Sequence, residues 1–346
     1  MVADMSLERR RQPPSTTATK AATTGCHTRR VACSVLLLAA VGLVTACGSS
    51  DGPAANEPPS AARQVQLNKA NTKTPLVVLG GQTFTEQLIL QEIYAQAWQA
   101  AGYRVDQRPT DGGAEDQYGR LTAGEVGASP EYLGTFLLTV DGSDIASIPK
   151  DADTAFAEVQ AAVAPDGIQA LTPTPFSDSN GFAVRREDAT ALSLRRLSDL
   201  EDDAPDLVLS GPPECAERQD CLLGLEQVYG LRFKEFLPVE IPERHTPLVK
   251  GTADVGLVFT TDGQIRAEGL VLLEDDREML PAYNVSLLVR DDVLDAAGPD
   301  LAEVAEAVQE DLTTSVMQEL NARVDLDQET PRSVARQYLR QAGFVP

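Results

Sequence analysis

Histidine is scarce in this chain. Two of its 346 residues are His, His27 and His245, and the first lies in a segment that the N-terminal pattern marks for removal. One imidazole leaves too few ligands for a His-based zinc site and no spare partner for a serine–histidine–aspartate relay. There is no G-x-x-x-x-G-K phosphate loop, no G-x-G-x-x-G fingerprint and no D-x-D-x-D-G calcium loop. The nearest approach to a nucleophile elbow is Gly127-Ala128-Ser129-Pro130-Glu131. It carries Glu where the turn needs Gly, and Pro130 disturbs that turn. Carboxylate pairs such as Asp202-Asp203 and Asp275-Asp276 lie in runs typical of solvated surface. These absences argue against an enzyme, a metal centre or a bound cofactor. Basic residues are also few, 29 Lys and Arg against 52 Asp and Glu, for a formal charge of −23. Nucleic acid needs a basic face and is excluded as a partner. The acid itself reads as solubility and self-repulsion.

No apolar run reaches the roughly 20 residues of a membrane-spanning helix. The longest, Val31 to Ala46, follows Arg29-Arg30 and ends in Val44-Thr45-Ala46-Cys47. That is the layout of a bacterial lipoprotein signal peptide, residues 1 to 46, with Cys47 as the lipidated residue. Two or more acyl chains give stable attachment where one is marginal. The expected location is therefore extracytoplasmic, lipid-anchored to the outer face of the cell membrane. Loss of residues 1 to 46 removes a net charge of +4 and takes −23 to −27. Of the five cysteines, Cys26 and Cys33 go with the signal and Cys47 goes to lipid. Cys215 and Cys221 remain in an oxidising compartment, where a local disulfide follows. Two free thiols are the alternative, because spacing alone does not establish bond geometry.

Residues 47 to 74 are rich in Pro, Ala, Asn and Ser without apolar periodicity, which predicts a flexible tether. With 42% hydrophobic residues the rest can bury a core, and its length suits two lobes with a cleft. Leu76 to Leu79 reads as a buried strand. Thr83 and Glu86 have capping-box spacing for a helix whose apolar positions run from Leu90 to Ala101, with Trp98 in the core and Gly102 as cap. Tyr103 to Gln107, Val126 to Ala128 and Ile168 to Leu171 read as strands, and Glu115 to Ala123 and Phe156 to Val163 as helices. The pattern is βαβ, the unit of a parallel sheet. Thr172-Pro173-Thr174-Pro175 is a rigid extended segment suited to an interdomain crossing. A second α/β series follows, with strands at Phe182 to Val184, Leu207 to Leu209, Val255 to Phe259 and Val285 to Val289. Its helices are expected at Leu192 to Leu200 and Leu222 to Tyr229, and further helices from about Leu301 to Gly343.

Several blocks occur in order along this folded part: Phe84-Thr85-Glu86-Gln87, Pro130-Glu131-Tyr132-Leu133-Gly134-Thr135, Pro213-Glu214 to Arg218-Gln219-Asp220, Phe259 to Ile265, and Pro281-Ala282-Tyr283-Asn284. With them the chain resembles the glycine betaine/choline substrate-binding proteins of osmoprotectant ABC importers. The resemblance implies an α/β fold of the two-lobe, type II periplasmic-binding-protein (Venus flytrap) kind with crossing hinge strands. One lobe would comprise 75–172 and 281–346, the other 173–280. It also implies a monomer that captures a quaternary ammonium solute between the lobes and passes it to a permease with its ATPase.

Position by position, the resemblance puts an aromatic cage for the ammonium at Tyr132, Phe259 and Tyr283. It puts carboxylate binding at Thr135 and Arg218. Tyr132 and Thr135 would lie on one lobe, Arg218 and Phe259 on the other. Asn180 stands where relatives often have a cage tyrosine and Gln82 near a frequent lysine, so both enter the candidate site with altered chemistry. Asp178 offers negative charge to the cation side. Those departures leave room for a receptor retuned to another small polar or aromatic solute. A cell-envelope lipoprotein enzyme or scaffold is the alternative from another class, since fold does not fix function.

Overall fold

The computed structural model describes residues 63–346. The signal segment, Cys47 and the first part of the predicted tether lie outside the described residues. Order begins earlier than the sequence predicts. Val65 N–H donates to Phe344 O at 2.9 Å, and Asn71 is buried with its amide donating to Ala101 O and Asp300, each at 3.1 Å. Val65 packs against the first core, but the other contacts are polar, and one apolar side chain gives no hydrophobic period.

Two five-stranded sheets carry the fold. The first contains β1 (Val77–Leu79), β2 (Val105–Gln107), β3 (Ala128–Tyr132), β4 (Ile168–Ala170) and the late strand β10 (Val285–Arg290), in the order β2-β1-β3-β10-β4. The second contains β5 (Asn180–Arg185), β6 (Val208–Gly211), β7 (Glu235–Pro238), β8 (Val255–Phe259) and β9 (Leu270–Leu273), in the order β7-β6-β8-β5-β9. Each sheet has a parallel part, β1 with β2 and β3 or β6 with β7 and β8, and an antiparallel part around β10 or β5. Helices cover both, giving two α/β lobes. The first core centres on the helix Thr85–Ala101, whose Trp98 is fully buried and donates through Nε1 to Leu301 O at 2.8 Å. The second gathers Phe182, Leu209, Leu225, Tyr229 and Leu257. Among the described residues no helix is long and apolar enough to cross a membrane.

Three local expectations are corrected. β3 does not stop before Pro130 but runs through it to Tyr132. β1 pairs with β3 only at Leu79 and Ala128, so no ladder N–H is needed from Pro130 on that side. Its carbonyl instead accepts from the Gln87 and Gln117 amides at 3.2 and 2.6 Å. The helix expected at Leu192 to Leu200 does not form: an α-helix ends before it, Arg186–Ala191, and within it there is only a 3-10 turn, Leu197–Leu200. Between them Ser193 takes φ +59°, a left-handed value that interrupts helical propagation. The capping box at Thr83 and Glu86 does not form. The helix is capped at Phe84 without a side-chain bond, Thr83 Oγ1 donates to Asp111 at 2.6 Å, and Glu86 is buried.

Glu131 in β3 is buried beside Gln117, and burial pushes its carboxyl up to about 7 despite hydrogen bonds from Tyr132 N–H and the Gln117 amide. A carboxyl raised from 4.5 contributes fully below that value and loses its contribution as pH rises through about 7. Glu131→Gln should therefore remove a decline in stability of ~3 kcal/mol between about pH 4 and about pH 8. Denaturant unfolding at the two pH values measures it, and an unchanged difference would place this carboxyl at its ordinary value.

Candidate functional site

The chain passes from the first lobe to the second through 171–179 and returns through 274–284. These crossings lie side by side. Asp178 N–H donates to Tyr283 O at 3.2 Å, Tyr283 N–H to Ser177 Oγ at 3.0 Å, and Asn284 Nδ2 to Thr174 O at 2.9 Å. Ser177 and Asn284 form an antiparallel bridge. The bond between crossings holds Asp178 and Tyr283 at the junction of the lobes, where a cleft of about 340 Å3 opens.

All eight residues expected at the site line this one cleft. Tyr132 closes β3, and Thr135 sits in the short helix Leu133–Thr135 that follows. Asn180 begins β5 and Phe259 ends β8, one opposite the other in the ladder. Gln82 follows β1, and Arg218 lies in the loop closed by the Cys215–Cys221 disulfide, whose Cα atoms are 5.2 Å apart. Sequence reasoning missed Phe84, Leu138, Ser179 and Asp220 as lining residues. Phe84 carried a signal: an aromatic ring at a helix start, where a polar cap is usual, is there for another reason. Its ring is 44% exposed and stacks on Tyr132, centroids 6.1 Å apart and planes at 24°.

The ring wall is held from behind. Tyr132 O–H donates to Glu86 Oε1 at 2.9 Å, and burial together with the charge of Glu86 holds the phenol well above its usual range. Burial and the nearby Asp220 carboxylate push the Tyr283 hydroxyl up to about 12. Its ring is seated against Gly134, where a Cβ would fall 2.9 Å from both the ring and Ala282 O, so that glycine admits the ring. Phe259 has the Arg244 guanidinium over its ring at 4.4 Å. Arg244 is in turn clamped on Asp262 through Nε at 2.8 Å and through Nη2, while Asp262 also meets His245 Nε2 at 2.9 Å and accepts from Phe259 N–H at 2.8 Å.

The polar end differs from a free arginine fork. Arg218 donates through Nε and Nη2 to the buried Asp220, at 2.8 and 2.5 Å, which leaves Nη1 without a hydrogen-bond partner among the described residues. Asn180 donates to the same carboxylate at 3.0 Å, so the residue in place of a ring anchors Asp220. Gln82 donates to Gly112 O at 3.1 Å. Asp178 faces the cleft with a buried Oδ1 that has no hydrogen-bond partner among the described residues. Burial, and then the charge of Glu86, raise its carboxyl well above the ordinary value. The cleft thus offers several ring faces, a spare carboxylate and a few free donors, with no nucleophile–base pair.

A family model described as the substrate-binding domain of an ABC-type glycine betaine transport system matches residues 75–341. The glycine-betaine-binding protein of Pseudomonas aeruginosa is 32% identical over 274 residues, covering 76% of this chain and 86% of that protein. The carnitine transport binding protein OpuCC of Listeria monocytogenes is 27% identical over 275 residues, 77% of this chain and 86% of that one. Among solved structures, apo YehZ from Escherichia coli superposes with a TM-score of 0.71 at 26% identity, over 77% of this chain and 98% of the other.

Proposed function

The chain belongs to the family of substrate-binding domains of ABC-type glycine betaine transport systems, and we propose that its own solute is a quaternary ammonium compound such as glycine betaine or choline. As a member it is a binding protein that works outside the cytoplasm, not an enzyme. The observation that carries the ligand reading is the convergence of Tyr132, Tyr283, Phe84 and Phe259 with the Asp178 carboxylate on one cleft between the lobes. A trimethylammonium group has no N–H to donate, so ring quadrupoles and a diffuse negative charge are what distinguish it from water, at about 0.5 to 2 kcal/mol per ring face. Thr135 Oγ1 and Arg218 Nη1 are the donors left for a carboxylate.

Contacts drawn from both lobes stabilise a closed state, and a permease that engages that state tells loaded receptor from empty. In this reading the two crossings form the hinge between lobes 75–172 with 281–346 and 173–280. Cys47 carries the lipid anchor, the chain acts as a monomer, and its docking partner is the permease with its ATPase.

Thermal unfolding of the purified chain with glycine betaine, carnitine, choline, proline and ectoine tests the ligand class. A solute at about 100 times its Kd adds about 2.7 kcal/mol of stability. The trimethylammonium compounds are expected to give that shift; a shift with proline or ectoine alone, or with none, overturns the reading. Arg218→Ala should weaken glycine betaine and carnitine by about tenfold, the loss of one charge-assisted hydrogen bond, and choline much less. Equal losses for all three in calorimetric titration would remove Arg218 from the carboxylate role.

A further inference from the structure

Past Phe84 and Phe259 the cleft continues into a second chamber of about 400 Å3. The two spaces share Phe84, Asp178 and Phe259 as walls. Its charge is one-sided. Glu86 is 3% exposed and receives hydrogen bonds from Tyr132 O–H and Asn321 Nδ2, both at 2.9 Å, and among the described residues it has no ion-pair partner. Asp325 stands on the same wall, exposed, accepting from Thr85 Oγ1 at 2.5 Å. Among the described residues Arg244 is the one cation in the lining, and its fork is closed on Asp262.

A second observation is independent of the acids. Asn321, 6% exposed, spends its amide nitrogen on Glu86 and on Thr261 O at 3.0 Å, and its Oδ1 has no hydrogen-bond partner among the described residues. Asp178 Oδ1 is in the same position. Two buried acceptors therefore stand without donors beside a buried carboxylate. A trimethylammonium group cannot answer them, because it carries no N–H; a primary ammonium or guanidinium can. Burial holds the Glu86 and Asp178 carboxyls above their ordinary values, and each is raised further by acid neighbours. A donating cation between them favours the ionised forms of both. Among the described residues no group of three or more His, Cys, Asp or Glu side chains is placed to hold a metal ion, which points to an organic cation.

We infer that the second chamber is a subsite for a hydrogen-bond-donating cationic group, carried by the same solute whose quaternary ammonium lies among the rings. The inference rests on the quaternary ammonium reading and narrows it to solutes bearing a second, donor-rich positive end.

A matched pair of probes decides it. Nα-trimethyllysine and Nα-trimethylnorleucine share the quaternary ammonium, the carboxylate and the chain, and differ in the terminal ammonium. Calorimetric titration of the full chain should show the lysine compound binding at least about tenfold tighter, the worth of one charge-assisted hydrogen bond. Glu86→Gln should reduce that preference below about threefold, whatever it does to the shared affinity for the two compounds through Tyr132, because the ratio between them reads the charged partner. Equal affinity for the two, a preference for norleucine, or binding of glycine betaine with rejection of both overturns the inference alone. Failure of glycine betaine and both probes overturns the proposed function with it. The wild-type comparison stands even if the variant does not fold.

Discussion

Tyr132→Ala is expected to lower affinity for any trimethylammonium solute by at least about 100-fold, nearly 3 kcal/mol. Three losses combine. The ring is a wall of the cleft, it supports the exposed Phe84 ring stacked on it, and its hydroxyl is one of the donors that satisfy Glu86. Removing the side chain leaves a buried carboxylate short of a donor at the cleft wall. The same truncation of a residue 5% exposed should destabilise the fold by ~3–5 kcal/mol. Tyr132→Phe separates the roles: it keeps the ring and should change affinity only a few-fold, while stability falls by ~1–3 kcal/mol from the unanswered carboxylate. Titration calorimetry on variants shown by circular dichroism to be folded gives the answer. Wild-type affinity in a folded Tyr132→Ala protein would mean the ammonium sits elsewhere.

Asp262→Ala should cost ~3–5 kcal/mol at neutral pH, the usual result of removing one partner from a buried ion pair. Asp262 answers Arg244, His245 Nε2 and the Phe259 N–H at once, and the Arg244 side chain is only 13% exposed. Without Asp262 the guanidinium keeps its desolvation and loses its counter-charge, and Phe259 loses both its backbone anchor and the cation that fixes its ring. Ligand affinity should fall with stability. Burial alone pushes the Asp262 carboxyl up, but hydrogen bonds from His245 and Arg244 outweigh burial and hold it below 3.8. A depressed carboxyl stabilises the fold above its unfolded value and loses that contribution as pH falls through the lower folded one. Urea unfolding should therefore show a large gap between wild type and variant at neutral pH that narrows on the acid side of 3.8. A gap that is constant with pH would show that packing, not charge, sets the cost.

Much of this protein is legible along the chain. The strand at Val255–Phe259 and the helix at Leu222–Tyr229 coincide with their apolar runs, because burial on a sheet or a helix face imposes a period that a sequence displays. β7 and β9 went unseen. Glu235-Phe236-Leu237-Pro238 is a half-exposed edge strand with no buried alternation, and Leu270–Leu273, although bounded by Gly269, is an unbroken apolar run too short to show a period. The strand through Pro130 was hidden for the opposite reason, since a local rule about proline was overridden by the absence of a partner on one side.

The chain by itself determined the α/β class and the crossing near Pro173 and Pro175, because these follow from local periodicity and proline, while the eight positions that meet at the cleft were implied by the family resemblance that its short ordered motifs carry. Only the tertiary structure decided what those side chains face. Arg218 and Asp220 are two residues apart, yet that the fork closes on the carboxylate depends on a disulfide loop holding both and on Asn180 arriving from β5. Glu86 reads as a helix cap and is instead buried between Tyr132 and Asn321, 46 and 235 residues away. Charge neutralisation and burial are properties of neighbours in space, and long-range contacts that bring Glu86, Asp178 and Asn321 around one chamber leave no period or spacing for a sequence to show.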